Sequence, residues 1–153
     1  MMTADAQQPA RLKNAASWLI NMVSVHSHRL VGDGFAAAGA RGYHYRLLAA
    51  LDEYGPSSQA ALGRHTGIDR SDVVAALNEL AAKELVERAP DPSDRRRNII
   101  TLTPDGARQL ARLDDVLAGI QDELLAPLDP SERAQLTALL ARLADHHAKR
   151  SRL

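Results

Sequence analysis

Three consecutive arginines, Arg95-Arg96-Arg97, follow directly on Asp94 and come shortly after Asp91. A guanidinium keeps its charge at any working pH. Its planar fork of donors suits phosphate oxygens and the negative minor groove of a duplex. Three of them on one short segment, with Asp91 and Asp94 to hold them, form a costly arrangement unless an anion meets it. A solvated run of surface charge is the plainer alternative. Against it stands the confinement of the run to what reads as the tip of a hairpin. A second polar set precedes it. Arg70, Ser71 and Asn78 fall on a helix that follows a tight Gly67-Ile68 link, and Ser57, Ser58, Gln59 and Arg64 lie just before that link. Arg70 suits a guanine edge and Asn78 a base edge. The four earlier residues suit phosphates. The competing use of Arg70 is an ion pair with Asp69 or Asp72.

The elements that position these residues can be traced from periodicity and punctuation. A first helix runs from about Arg11, with Leu12, Ala16, Leu19, Val23, His26 and Leu30 on one face. Gly32-Asp33-Gly34 predicts a kink, or an end near Val31, since each interior glycine costs about 1 kcal/mol. A second helix covers Tyr43 to Tyr54 and stops at Gly55-Pro56. A short third runs from about Ser58 to Thr66. A fourth opens at Asp69, an N-cap residue type, and buries Val73, Leu77 and Leu80. Val86–Ala89 and Asn98–Leu102 then predict a two-stranded hairpin whose long tip spans 90–97. Thr103-Pro104 starts a fifth helix with Leu110, Leu113, Leu117, Ile120 and Leu124 in a 3-4 repeat. Asp129-Pro130-Ser131-Glu132 starts a sixth, with Leu136, Leu139, Leu140 and Leu143. Three helices and a hairpin in this order predict a winged helix-turn-helix, mainly α with a small β wing.

Composition limits the alternatives. Nineteen Lys+Arg against nineteen Asp+Glu give zero formal charge, so the chain does not coat nucleic acid by charge alone. Aromatics at 3% exclude a base-stacking platform. With no cysteine there is no thiolate metal site and no redox thiol. His26 and His28 are two apart and diverge on a helix, while His146 and His147 fall near the C-terminus, so no metal is expected. There is no Gly-rich phosphate loop, nucleophile elbow or ligand-spaced His/Glu motif, which argues against an enzyme and against a cofactor. No apolar run long enough for a signal peptide or membrane span is present, which predicts a cytoplasmic protein.

The stretch Leu85-Val86-Glu87-Arg88-Ala89-Pro90-Asp91-Pro92-Ser93-Asp94-Arg95-Arg96, ending in Thr101-Leu102-Thr103-Pro104-Asp105-Gly106, resembles the wing of the MarR family of bacterial transcription regulators almost residue for residue. The resemblance covers residues 11–148 in element order and 43–106 in motif detail. It implies an obligate homodimer with interlocking terminal helices and two winged domains reading a palindromic operator, acting as a repressor. It implies that Arg96 enters the minor groove and that Asp94 orients the wing's arginines, with Arg95 and Arg97 as further contacts. It also implies a cleft for a small aromatic or phenolic acid, for which Trp18, His26, Tyr43, His44 and Arg46 are the candidates. Each of these has an ordinary structural use: core packing for Trp18, and capping or solvation for His44 and Arg46. Two departures stand out. Many relatives carry Thr-Arg where this chain has Val74-Ala75, and Gly where it has Glu84. Val74 and Ala75 can only touch thymine methyls, so wing contacts and DNA shape must carry more of the specificity.

The expected organisation is therefore a winged domain at 40–103, a helical dimerisation region made of 11–39 and 104–148, and flexible tails at 1–10 and 149–153. Leu12, Leu19, Leu117, Ile120, Leu124, Leu136, Leu139 and Leu143 are the expected dimer contacts, because the repeat on the fifth helix is longer than one intramolecular contact requires. The rival function is a winged-helix scaffold or protein-interaction module that has lost specific DNA binding. The poor polar complement of the fourth helix motivates it, and the intact wing opposes it.

Overall fold

The computed structural model describes residues 8–150. By its contacts the chain divides into two compact units, residues 1–118 and 119–153.

The first unit opens with α1 (Ala10–Lys13) and α2 (Ala16–Ala37). The expected break at Gly32–Gly34 is absent. α2 runs straight through it, and the interruption comes earlier, at Asn14-Ala15. Tertiary packing offsets the glycine cost: Phe35 is buried and Val31 packs against the same core. Gly39, at φ 76°, closes the turn after α2. α3 (Gly42–Tyr54) ends at Gly55, also at φ 76°.

The two-stranded hairpin is in fact a three-stranded antiparallel sheet in the order β1-β3-β2. β1 (Ser57–Ser58) is too short to carry a pattern of its own. It pairs with β3 (Asp94–Leu102) at Ser57↔Ile100 and Ser58↔Ile99. β2 (Val86–Asp91) pairs with β3 from Val86↔Leu102 to Pro90↔Asn98.

Between β1 and β2 lie α4 (Gln59–Thr66) and α5 (Arg70–Ala82). The Ser58 hydroxyl caps α4 by accepting the Ala61 N–H at 3.2 Å. Gly67, left-handed at φ 70°, ends it. Buried Ile68 then pins the link, and its N–H is taken by the Thr66 hydroxyl at 3.3 Å. Asp69 occupies the N-cap position of α5, but its side chain makes no cap hydrogen bond. It accepts the Ser71 hydroxyl at 2.7 Å instead. Val73, Leu77 and Leu80 are buried as expected. Glu84 stands at φ 60°, so this chain holds a non-glycine residue in the left-handed region.

α6 (Pro104–Leu124) crosses the division between the two units. Its first half belongs to the winged core: Leu110 and Leu113 are buried with Leu47, Leu62, Leu77, Val86 and Ile100, and Leu117 packs partly against them. The contacts therefore do not separate the chain at 103/104. Two of the expected dimer residues also pack within the single chain: Leu117 lies partly against this core, and Ile120 is buried.

The second unit holds the end of α6 and α7 (Pro130–Arg150). The predicted capping box is present: Asp129 N–H donates to Glu132 Oε1 at 3.0 Å, and Glu132 N–H to Asp129 Oδ1 at 2.9 Å. Of the expected tails, 1–7 and 151–153 lie outside the described residues. Ala10 already begins a helix, and Lys149 and Arg150 are helical.

Candidate nucleic-acid interface

The register of the hairpin decides how the arginines are shown. Pro90 pairs with Asn98 and Asp91 with Asp94, so Arg95, Arg96 and Arg97 stand between paired positions with no partner across the ladder. Such a bulge re-aims side chains and would be loose without local ties. Two carboxylates supply them. Asp94 Oδ1 accepts the Arg96 N–H at 3.0 Å, and Asp94 lies 3.8 Å from the Nε of both Arg96 and Arg97. Asp91, nearly buried, accepts the Ser93 N–H at 2.9 Å, the Ser93 hydroxyl at 2.8 Å and an Arg97 guanidinium N–H at 3.2 Å. The Ser93 backbone and hydroxyl donors, helped by the Arg97 charge, hold the Asp91 carboxyl below the usual carboxylate range. The Arg96 side chain is 95% exposed.

The wing faces the helix-turn-helix across an open groove of about 630 Å³. Ser58, Gln59, Arg64, Arg70, Arg96 and Arg97 line it around a floor that includes Ile68 and Val73, and no acidic residue is among its lining. The structure thus brings six of the eleven expected contact residues onto one surface. Arg70 makes no ion pair with Asp69 or Asp72, so its guanidinium is free to act elsewhere. Asn98, which also lines the groove, was not expected. The signal for it was a polar residue just where regular pairing resumes after the arginines.

The remaining five are placed otherwise. Ser57 is buried, and its hydroxyl donates to Gly55 O at 2.8 Å, so that donor is already used within the fold. Ser71 gives its hydroxyl hydrogen to Asp69, and this bond is the main reason that the Asp69 carboxyl is held low. Asn78 is exposed on the outer side of α5, together with Val74 and Ala75. Asp94, paired with Asp91, and Arg95, in the bulge, do not line the groove.

The expected effector residues form no single constellation. Arg46 stacks over the Tyr43 ring at 5.6 Å, and Trp18 Nε1–H donates to Gln8 Oε1 at 3.4 Å. No hydrogen bond or ring contact among the described residues joins these pairs to each other or to exposed His26.

His44 is a correction. It is buried, its Nδ1 accepts the Arg41 N–H at 3.2 Å, and its Nε2 lies 2.7 Å from Glu79 Oε2. Both ring nitrogens serve the fold, tying the start of α3 to α5. Arg41 completes the tie with a 3.0 Å ion pair to Glu79. Since Nδ1 accepts, the proton of the neutral ring sits on Nε2 and points at Glu79. Burial lowers the His44 pKa from 6.5, against the raising effect of Glu79. The unfolded chain therefore takes up this proton first as pH falls. The stability linked to His44 is full above 6.5 and is lost as pH drops toward the lowered folded value. Thermal melts between about pH 7.5 and 5.5 should show the midpoint falling with acidification, and His44→Gln should remove that component. An unchanged pH profile in the variant would refute the assignment.

Comparison with known proteins agrees with this geometry. The model of the MarR family matches residues 40–97. The HTH-type transcriptional repressor NicR of Pseudomonas putida is 37% identical over 98 residues, which is 64% of this chain and 62% of that protein. The match thus spans a little under two thirds of that relative's length. A probable transcriptional regulator from Pseudomonas aeruginosa, known as a crystal structure, superposes with a TM-score of 0.76 at 31% identity, covering 87% of this chain and 99% of its own. The PcaV transcriptional regulator of Streptomyces coelicolor, solved with its natural ligand, gives 0.74 at 27% identity over 91% and 98% of the two chains.

Proposed function

The chain belongs to the MarR family, and we propose that it is a homodimeric, sequence-specific DNA-binding repressor of palindromic operators. The observation that carries this is the acid-free groove in which Arg64, Arg70 and Arg96 converge from the helix-turn-helix and the wing. In a chain of zero net charge, such local segregation points to a polyanion. Within that division of labour α5 lies in the major groove, with Arg70 toward a base edge. Ser58, Gln59 and Arg64 address phosphates, and Arg96 reaches the minor groove. The protein acts in the cytoplasm, and we assign it no enzymatic step. No described helix is long and apolar enough to cross a membrane. The test is selection of duplexes from a random pool by the full chain, followed by binding at several salt concentrations. An enriched palindrome with half-sites about 34–36 Å apart is expected. A pool that stays random would favour the scaffold alternative.

Dimerisation rests on apolar side chains that the single chain leaves open. On α2, Leu19, Ile20, Met22, Val23 and Val25 are exposed, and on α7 so are Leu139, Leu140 and Leu143. Leu12, Leu124 and Leu136 are half-buried and can extend those faces. Leu139→Asp should shift a micromolar dimer toward monomer in analytical ultracentrifugation, because an unpaired charge in an apolar seam costs about 3–5 kcal/mol. A monomeric wild type would refute the dimer.

The effector we propose is a small aromatic carboxylate, for which the exposed Trp18 ring offers a flat face and Arg46 a counter-charge, although no hydrogen bond or ring contact among the described residues joins the two. Trp18 is the single tryptophan, so a change in its fluorescence tests that assignment. Benzoate-type acids that quench Trp18 should also weaken DNA binding about 5–150-fold. Quenching without that loss would reject the switch.

A further inference from the structure

The three arginines of the wing are not equivalent, and the difference originates in Asp91. The Arg97 guanidinium is held from two sides: Asp91 Oδ2 lies 3.2 Å from it, and Asp94 Oδ2 lies 3.8 Å from its Nε. It is correspondingly less exposed, at 57% against 95% for Arg96. Among the described residues, the only carboxylate within ion-pair reach of Arg96 is Asp94, at 3.8 Å. Asp91 also anchors the two-residue connection through both Ser93 donors. One largely covered carboxylate thus fixes the turn at one end of the bulge and the last arginine of the bulge at the other.

We propose that Asp91 is a positioning residue for the DNA contact: it holds Arg97 as a strut inside the wing, so that Arg96 is the guanidinium delivered to the duplex. This rests on the DNA-binding function proposed above. The physics is a comparison of two fates for Arg97. If it left Asp91 for a phosphate, a nearly buried carboxylate would lose its cation while standing close to the negative backbone, and both changes oppose the transfer. Arg96 gives up only a long contact in an exposed setting, where such pairs are weak. A strut also keeps the unpaired segment from sampling many conformations, so less ordering entropy is lost when Arg96 docks.

Salt dependence separates the two roles, because only charges that neutralise phosphates contribute to it, at about 0.9 per phosphate. The full chain and its variants are titrated onto a random-sequence duplex by fluorescence anisotropy across a salt series. Arg96→Gln should flatten the slope of log affinity against log salt, by up to about 0.9 per protomer. Arg97→Gln should weaken binding by a similar factor at every salt concentration while leaving the slope unchanged. Asp91→Asn, which keeps an acceptor for Ser93 but releases Arg97, should steepen the slope. The double variant Asp91→Asn/Arg97→Gln should return it to the wild-type value. A slope that falls as much in Arg97→Gln as in Arg96→Gln would overturn the proposal while leaving DNA binding intact. Should Asp91→Asn not fold, the two exposed arginine variants decide alone. A wild type with no salt-dependent binding at all would overturn the DNA-binding function, and this inference with it.

Discussion

Replacing Arg96 with alanine should lower operator affinity by about 1–3 kcal/mol per protomer, or between about 30-fold and about 10⁴-fold for a dimer gripping DNA with both wings. The Arg96 side chain stands clear of the fold. At 95% exposure, with one carboxylate 3.8 Å away, it supports almost none of the fold. A surface substitution of that kind changes stability by no more than about 0.5 kcal/mol. The tie that matters locally runs through the Arg96 backbone N–H to Asp94, and alanine keeps it. The loss of affinity is therefore a loss of contact. Arg96→Lys should recover only part of it, since an ammonium keeps the charge without the planar fork. Anisotropy titrations at one fixed salt concentration, alongside a sedimentation check that the oligomer is intact, measure this. Equal affinity of Arg96→Ala and wild type would remove the wing from the interface.

The largest effect on stability is expected at Gly106, in the first turn of α6. A Cβ built there would run into Leu85 O, and it would stand 2.7 Å from Leu102 Cδ1 and 3.1 Å from the Leu85 carbonyl carbon. The obstacle is mainly backbone, which cannot swing aside as a flexible side chain would. That backbone is also fixed: Leu85 O accepts the Thr103 N–H at 3.1 Å, and the Thr103 hydroxyl donates to Glu84 O at 2.7 Å while accepting the Gly106 N–H at 3.0 Å. α6 starts where it does because these bonds draw it onto the α5–β2 connection, and only glycine lets it come so close. Gly106→Ala should cost about 3 kcal/mol, lowering the melting temperature by roughly 10 °C. Gly119→Ala is the matched control. It lies on the same helix with nothing within 4 Å of the new Cβ, and should stabilise by up to about 1 kcal/mol. If Gly106→Ala melts with the wild type, the close approach is not real.

Much of this molecule is written locally. The helix ends at Gly55 and Gly67, the Asp129–Glu132 capping box, the inward faces of α5 and α6, and the hairpin ladder from Val86 to Ala89 were all legible in the sequence, whereas the pairing of Pro90 and Asp91, placed in the tip, was not. Each depends on contacts within a turn or two of the chain, or on a residue type that permits only one backbone geometry. The wing motif added the family, and with it the expected role of Arg96. What tertiary structure alone decided are the choices a side chain makes among distant partners. His44 could have faced a ligand and instead bridges to Glu79, thirty-five positions away. Ser57, a reasonable phosphate contact by its type, is buried where β1 pairs with Ile100. α2 passes through Gly32–Gly34 because Val31 and Phe35 are held by a core assembled from later elements. Arg95, Arg96 and Arg97 read as one basic run, yet the register between β2 and β3 sets Arg97 beside Asp91 and leaves Arg96 in solvent. Composition and spacing state which groups are present. A guanidinium pairs with whichever carboxylate the fold brings within a few ångströms, and that distance is fixed only when the strands close.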